Sequence, residues 1–315
     1  RNMRMRAIVL QVRSASGRRP RPLLLRGLCS SAVSSSGASS SASGRTTHFG
    51  YSTVPEDDKE RLVGHVFDNV ASRYDVMNDV MSAGVHRVWK DTLVSMLGAH
   101  VPGCANLQVL DVAGGTGDIA FRIAHELAQA ASATASAAAA ADGGIEPARI
   151  VVSDINPNML AEGRRRAEQM ASLSAPSAPR LEWVTADARQ LPFDDNTFDL
   201  YTIAFGIRNV TRIDEALREA HRVLRPGGRF LCLEFSHVTN PVLAAVYEKY
   251  SFGVIPKMGE LIASDRASYQ YLVESIRKFP KQEDFAQMLR DAGLRAVTYT
   301  NLTSGCVAIH SGFKL

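Results

Sequence analysis

A glycine-rich run and three aspartates are the residues of this chain whose types and spacing can do chemistry. In Leu110-Asp111-Val112-Ala113-Gly114-Gly115-Thr116-Gly117-Asp118 the glycines lie between an apolar run and a helix-forming stretch. They permit a tight turn there and let a ligand approach the backbone closely. The segment Gly115-Thr116-Gly117-Asp118-Ile119-Ala120 satisfies the G-x-G-x-x-A pattern of dinucleotide sites. Asp154, at the end of the next apolar run, has the position of a ribose-binding carboxylate in either a nicotinamide or an S-adenosylmethionine enzyme. Asp111 and Asp118 surround the loop with negative charge, which disfavours a pyrophosphate and suits the cationic sulfonium and ammonium of S-adenosylmethionine. A third carboxylate, Asp187 in Thr185-Ala186-Asp187-Ala188, ends a further run where an adenine amino group would be recognised. For Asp118 taken alone, a helix-capping role is the favoured reading.

The elements that must position these groups follow from periodicity. Val63, Phe67, Val70, Tyr74, Met77 and Met81 have the three-and-four spacing of an amphipathic helix. Leu107 to Ala113, Arg149 to Ile155, Leu181 to Thr185, Phe198 to Phe205 and Arg229 to Phe235 read as strands, and most intervals between them can hold a helix. That alternation predicts a doubly wound, mostly parallel α/β sheet. Thr211 to Asp214 fits a capping box opening a helix that Pro226-Gly227-Gly228 stops. Ala296 to Thr300 and Cys306 to His310, joined by a turn with a glycine, predict a closing antiparallel strand pair. An Ala-rich stretch over 127–148 reads as a surface insertion after the first helix of the sheet.

Composition narrows the function classes. The 315 residues are 45% hydrophobic and 22% charged, which is globular and excludes disorder throughout. No stretch has the roughly 18 consecutive apolar residues of a membrane span. Residues 1–55 carry nine arginines and no acidic side chain, leaving 27 basic against 32 acidic residues in the remainder. The body is therefore mildly acidic, which argues against nucleic-acid binding. The Arg- and Ser-rich, acid-free segment 1–47 reads as a mitochondrial or chloroplast transit peptide, leaving one domain over 48–315. Cys29, Cys104, Cys232 and Cys306 form no C-x-x-C pair, so neither a disulfide framework nor a metal site is indicated, and Cys232 reads as a small buried hydrophobe.

At this level of detail the glycine loop resembles motif I of class I methyltransferases, and further runs narrow the likeness. They are Tyr74-Asp75-Val76-Met77-Asn78-Asp79-Val80-Met81-Ser82, His86-Arg87-Val88-Trp89, Phe205-Gly206-Ile207-Arg208-Asn209-Val210, and Arg222 through Gly228 with Glu234-Phe235-Ser236. Together they resemble the ubiquinone and menaquinone biosynthesis C-methyltransferases, the mitochondrial branch above all, from about Val54 to Leu315. The resemblance implies the class I, Rossmann-like fold with N-terminal lid helices, and S-adenosylmethionine contacts at Thr116, Asp154, Asp187 and Ala188 beside Asp111, Gly114, Gly115 and Gly117. The chain departs from the bacterial members at Ala204, where they have serine, and from many members at Arg225, where they have lysine.

The implied reaction is C-methylation of the ring of a methoxy, polyprenyl benzoquinol in ubiquinone synthesis. A ring carbon becomes nucleophilic when a neighbouring phenol loses its proton, and with a phenol pKa near 10 the site must favour the anion by about three units. Arg208, with Asn209 beside it, is the candidate for charge-assisted hydrogen bonds to that phenolate or to a water relaying the proton. Its guanidinium is a poor literal base. Tyr74, His86 and Trp89 are expected to form the lid, with ordinary core packing as the competing reading. A polyprenyl tail implies peripheral contact with the matrix face of the mitochondrial inner membrane. Pro241 to Ile262, with Tyr247, Tyr250, Phe252, Val254, Ile255 and Met258, is the expected mouth toward it, so that losing the Phe252 and Ile255 side chains would cost activity on long-tailed quinols alone. The resemblance also implies a multi-subunit biosynthetic assembly and a homodimer. A scaffold subunit and an NAD(P)-dependent oxidoreductase are the alternatives.

Overall fold

The computed structural model describes residues 45–70, 78–79, 82, 84–98, 106–138, 147–170, 173, 178–263 and 266–315. Its centre is a seven-stranded sheet of β3 (Gln108–Val112), β4 (Arg149–Asp154), β5 (Arg180–Thr185), β6 (Phe198–Ala204), β7 (Leu224–Phe235), β8 (Arg295–Leu302) and β9 (Val307–Phe313) in the order β5-β4-β3-β6-β7-β9-β8. All neighbours are parallel except β9, which runs antiparallel to both β7 and β8. Each expected strand is present, including the closing pair; β7 begins five residues before the expected Arg229, so that Pro226-Gly227-Gly228 lies inside the strand and the preceding helix already ends at Val223.

Both faces of the central strands are buried, which is why they read as continuous apolar runs. Val109, Ile150 and Leu231 enter one apolar cluster, and their chain neighbours Leu110, Val151 and Cys232 enter a second. Cys232 is a fully buried free thiol, as expected. Around the sheet run α1 (Glu56–Val70), α2 (His86–Ser95), α3 (Asp118–Ala138), α4 (Pro157–Glu168), α5 (Ile213–Val223), α6 (Pro241–Gly253), α7 (Ile255–Ala263), α8 (Arg266–Lys278) and α9 (Gln282–Asp291). Strand order reverses between β3 and β6, so the carboxyl ends of β3, β4 and β6 open a crevice at that switch point.

Four local expectations are corrected. The Ala-rich stretch does not begin as a surface loop: α3 continues to Ala138, and Leu127 and Ala130 are buried on its inner side. Only its later part, 139–146, lies outside the described residues, as do Met77, Met81, Cys29 and Cys104. The Thr211 capping box is not formed, because the helix starts one residue late with Arg212 at its N-cap and no side-chain cap. The folded part starts earlier than 48, since β1 (Thr46–Phe49) pairs with β2 (Ser52–Pro55) in a hairpin. Finally, Ile255 is buried and Phe252 packs on the core, so Pro241 to Ile262 turns those side chains inward. Their loss is then a matter of stability and not of tail length.

Candidate active site

The crevice is a solvent-open cleft floored by the glycine loop and the ends of β4, β5 and β6 and flanked by α1 and α2. The loop turns tightly, with the Gly117 N–H donating to the Gly114 carbonyl at 2.8 Å and the Gly114 N–H to the Ser153 carbonyl at 3.1 Å. Gly117 has φ +85°, and a Cβ there would lie 2.7 Å from Trp183. At Gly114 a Cβ would lie 2.6 Å from Val152 and 2.9 Å from Asp111 Oδ2. Two non-glycine residues that follow β3 and β6 on either side of the switch point, Ala113 and Phe205, also have positive φ, of 51° and 55°. Strain of this kind persists only where the surroundings impose it, and both residues line the cleft.

Asp111 is fully buried in the middle of the sheet. Thr202, its neighbour across to β6, donates to Oδ1 at 2.7 Å, while Oδ2 has no protein partner. Burial pushes its carboxyl up to about 7, with Asp118 and Asp154 adding to the rise. Asp154 takes the Gly115 N–H at 2.9 Å on one oxygen and the Asn156 N–H at 2.8 Å on the other, which ties the end of β4 to the glycine loop. Burial raises it to about 6. An orphaned buried carboxylate and a second raised one suit a ligand with a cation and hydroxyls to donate. Gly114, Gly115, Thr116, Asp187 and Ala188 line the same cleft, so the expected cofactor residues are brought together, apart from Gly117, which shapes the turn behind it.

Their electrostatics differ from expectation at two places. Asp118 adds little net negative charge to the loop: burial works to raise its pKa, yet the Lys90 ammonium at 2.6 Å and the Arg122 guanidinium at 2.9 Å hold it below the usual range. Asp187 already carries the Arg189 side chain, whose Nε donates to it at 2.8 Å, and Arg189 reaches Glu60 of α1 at 3.2 Å.

The second group of candidates separates. Asn209 lines the cleft. The Tyr271 hydroxyl donates to its Oδ1 at 3.0 Å, which leaves the amide N–H groups as its donors. Arg208, by contrast, is buried and turned away: Nη1 donates to Glu234 Oε1 at 2.9 Å and to the Phe205 carbonyl, and the guanidinium lies 5.7 Å from the Phe235 ring centre. It does not line the cleft, so the direct phenolate contact expected of it is replaced by a buried ion pair one layer behind. The lid reading of His86 and Trp89 is likewise corrected to core packing. Trp89 packs between Phe205 and Phe235 and donates to Thr303 Oγ1 at 2.8 Å, and buried His86 bonds Asp79 at 2.9 Å. Tyr74 lies outside the described residues. The wall is instead made by Glu60, Val63 and Phe67 of α1 and by Lys90 of α2. Of these, Val63 and Phe67 were legible as a helical stripe but not as a cleft wall. Glu60 and Lys90 gave no signal in the sequence, because their roles depend on partners more than 25 residues away.

A consequence for pH follows from Asp111. Its folded pKa is raised, so between about pH 4 and 7 the native chain holds a proton that the unfolded chain has released, and this group's contribution to stability declines as pH rises across that window. A cationic ligand favours the ionised form. S-adenosylmethionine affinity is therefore expected to improve up to ~10-fold per pH unit as pH approaches 7, with proton release. Titration calorimetry in buffers of different ionisation enthalpy checks this, and Asp111→Asn removes the component near pH 7 while leaving that of Asp154 near 6.

A doubly wound sheet closed by an antiparallel strand, with acidic groups and a glycine cradle at its switch point, defines a class I S-adenosylmethionine-dependent methyltransferase. An S-adenosylmethionine-dependent methyltransferase of Thermotoga maritima has the same fold, with a TM-score of 0.51 at 17% identity over 80% of this chain and 99% of its own. The profile of the ubiE/COQ5 methyltransferase family matches residues 55–314, and the chain belongs to that family. It is 52% identical, over 99% of each chain, to the mitochondrial 2-methoxy-6-polyprenyl-1,4-benzoquinol methylase of Danio rerio. It is 54% identical to the human protein of that name over 85% of this chain and 84% of that one. Identity to the ubiquinone/menaquinone biosynthesis C-methyltransferase UbiE of Dinoroseobacter shibae is 55%, over 86% and 98%.

Proposed function

We propose that this methyltransferase transfers a methyl group to the ring carbon of 2-methoxy-6-polyprenyl-1,4-benzoquinol in ubiquinone synthesis. The observation that carries the reading is the near full-length identity to a relative of that name, joined to a cleft whose acidic cofactor side is complete. S-adenosylmethionine would be held by the glycine loop, Asp111, Asp154 and Asp187, and when bound it supplies an electrophilic methyl. The chain's own residues then have three tasks. Asn209 donates its amide N–H to a ring oxygen and favours the phenolate over the phenol. The Arg208–Glu234 pair fixes the 3-10 turn Ile207–Asn209 that carries it, through Arg208 and the Phe205 carbonyl. Val63 and Phe67 of α1 keep water from the ring. In the full chain with methyl-labelled S-adenosylmethionine and a short-tailed quinol, label is expected in the reduced ring only, because the oxidised ring has no phenol to ionise. Equal labelling of both forms, or of neither, contradicts the reading.

The same reading places the protein in the mitochondrion, delivered by a transit peptide that ends before the β1–β2 hairpin begins at Thr46, on the matrix face of the inner membrane. The word mitochondrial in the relatives' names supports the compartment. Peripheral contact is part of this reading, and no helix among the described residues is long and apolar enough to cross a membrane. Val242, 72% exposed, and Leu243 at the start of α6 supply an apolar contact in place of Phe252 and Ile255. Joint replacement of Val242 and Leu243 by Glu is expected to lower turnover of a long-tailed quinol in vesicles several-fold and to leave a short-tailed quinol in solution unaffected. Rates on both substrates check this. Membership of a larger biosynthetic assembly and self-association as a homodimer belong to this reading as well, and the exposed edge of β8 gives them a surface.

A further inference from the structure

The cleft is acidic, and nearly every cation near it is taken. Lys90 is bound to Asp118, Arg189 to Asp187 and Glu60, and Arg208 to Glu234. An anionic ring oxygen in such a place needs a positive charge not already neutralised. Lys59 of α1 has that property. Its side chain is only 2% exposed, it has no carboxylate within 4 Å among the described residues, and its Nζ donates to the Val210 carbonyl at 3.4 Å. Val210 follows Asn209, and both line the cleft, so the ammonium lies one wall layer behind the position assigned to the ring oxygen. Burying an ammonium with a single long contact is costly for the fold, and a side chain kept there at that cost acts through its charge.

We propose that Lys59 is a positioning residue of the methyl-transfer site, whose ammonium holds the Asn209–Val210 segment and biases the cleft toward a phenolate. The inference rests on the proposed quinol chemistry and names a group that serves it. The charged groups around Lys59 are Glu56 on its own helix, which favours the ammonium, His48 on β1, and Arg212 before α5, 3.6 Å from Glu56. Lys278 of α8 acts on His48 along with Lys59. Burial pushes the Lys59 ammonium down to about 8, so the charge is present at neutral pH and is lost as pH rises through that value. Because the folded pKa is depressed, stability gains from its deprotonation between about pH 8 and 10.5.

The test is binding of 2-methoxy-4-nitrophenol to the full chain, read by the absorbance of the phenolate, for the wild type, Lys59→Met and Lys59→Arg. Lys59→Met is expected to melt at the same temperature as the wild type or higher, yet to bind the phenolate about tenfold more weakly at pH 7, the factor of one pKa unit. Lys59→Arg keeps the affinity, and the gap between wild type and Lys59→Met closes as pH rises from 7 to 10. Quinol methylation should follow, with the ratio of the two kcat/KM values falling toward one over the same range. Equal phenolate affinities, or a gap that does not change with pH, overturn the proposal, as does a Lys59→Met variant that loses stability alone. If Lys59→Met does not fold, the wild type decides by itself: its affinity for the phenolate must fall as pH passes 8. Failure of quinol methylation in a protein that shows the phenolate preference would count against the substrate and not against Lys59.

Discussion

Asp154→Asn is expected to weaken S-adenosylmethionine binding about 100-fold, or ~2.7 kcal/mol, measured by calorimetry at pH 7.5. Two losses combine in that figure. The carboxylate is the acceptor placed for the ribose hydroxyls, and hydrogen bonds to a charged group contribute about 1.5–3 kcal/mol. It is also the clasp between β4 and the glycine loop, with one oxygen on Gly115 N–H and the other on Asn156 N–H. An amide has one acceptor oxygen, so either the loop or the turn before α4 is left facing an N–H₂ group. Because burial raises this carboxyl to about 6, wild-type affinity should also decline as pH drops below that value, and the variant should not share the decline. A variant that binds within threefold of wild type would remove Asp154 from the site.

Glu234→Ala is expected to destabilise the protein by about 3–5 kcal/mol, because it leaves the Arg208 guanidinium buried without its counter-charge. Glu234 lies at the end of β7 with its side chain 1% exposed. Burial pushes its carboxyl up, although Arg208 opposes this. The replacement of both partners, Arg208→Met with Glu234→Leu, should recover most of the loss, since the desolvation of two charges is then avoided. Activity should not recover with it. The 3-10 turn that presents Asn209 loses its anchor, so the double variant is expected to bind cofactor normally and to methylate at a small fraction of the wild-type rate. Urea unfolding and single-turnover kinetics separate the two effects. Full activity in a stable double variant would show that the pair serves folding alone.

How much of this was legible in the sequence depends on the range of the interactions. Strands buried on both faces announce themselves as apolar runs, so β3, β4, β6 and the closing pair were placed within a few residues. The cofactor half of the site was legible for a related reason: a glycine loop and carboxylates at strand ends are defined by local position. The substrate half was not. Whether Arg208 faces a ligand or a partner was decided by Glu234, 26 residues on, and nothing in the local run distinguishes the two. His86 and Trp89 failed as lid residues through packing, Trp89 against aromatic rings from β6 and β7 neighbours. The β1–β2 hairpin was hidden because a short, half-exposed pair has no apolar run, and it is held by contacts from α8, with Phe49 stacked on Tyr271 at 4.1 Å and Tyr51 N–H donating to Glu274 at 2.9 Å. Lys59 looked like one more charge on a solvated helix face, and only the fold puts the Val210 carbonyl over it.

The cleft is expected to direct a methyl group to carbon and not to oxygen of a reduced quinol ring. The most direct test uses S-adenosylmethionine carrying carbon-13 in the transferable methyl, the full chain, and a reduced 2-methoxy-6-prenyl benzoquinol, with the product read by carbon NMR. One new methyl resonance is expected in the range of methyls attached to an aromatic carbon, coupled to the ring carbon next to the prenyl-bearing one (C5), together with its loss in Asp154→Asn. A resonance in the methoxy range would mean that the ring oxygen is the nucleophile, and the assignment of Asn209 and Lys59 as groups that stabilise a phenolate for attack through carbon would be wrong.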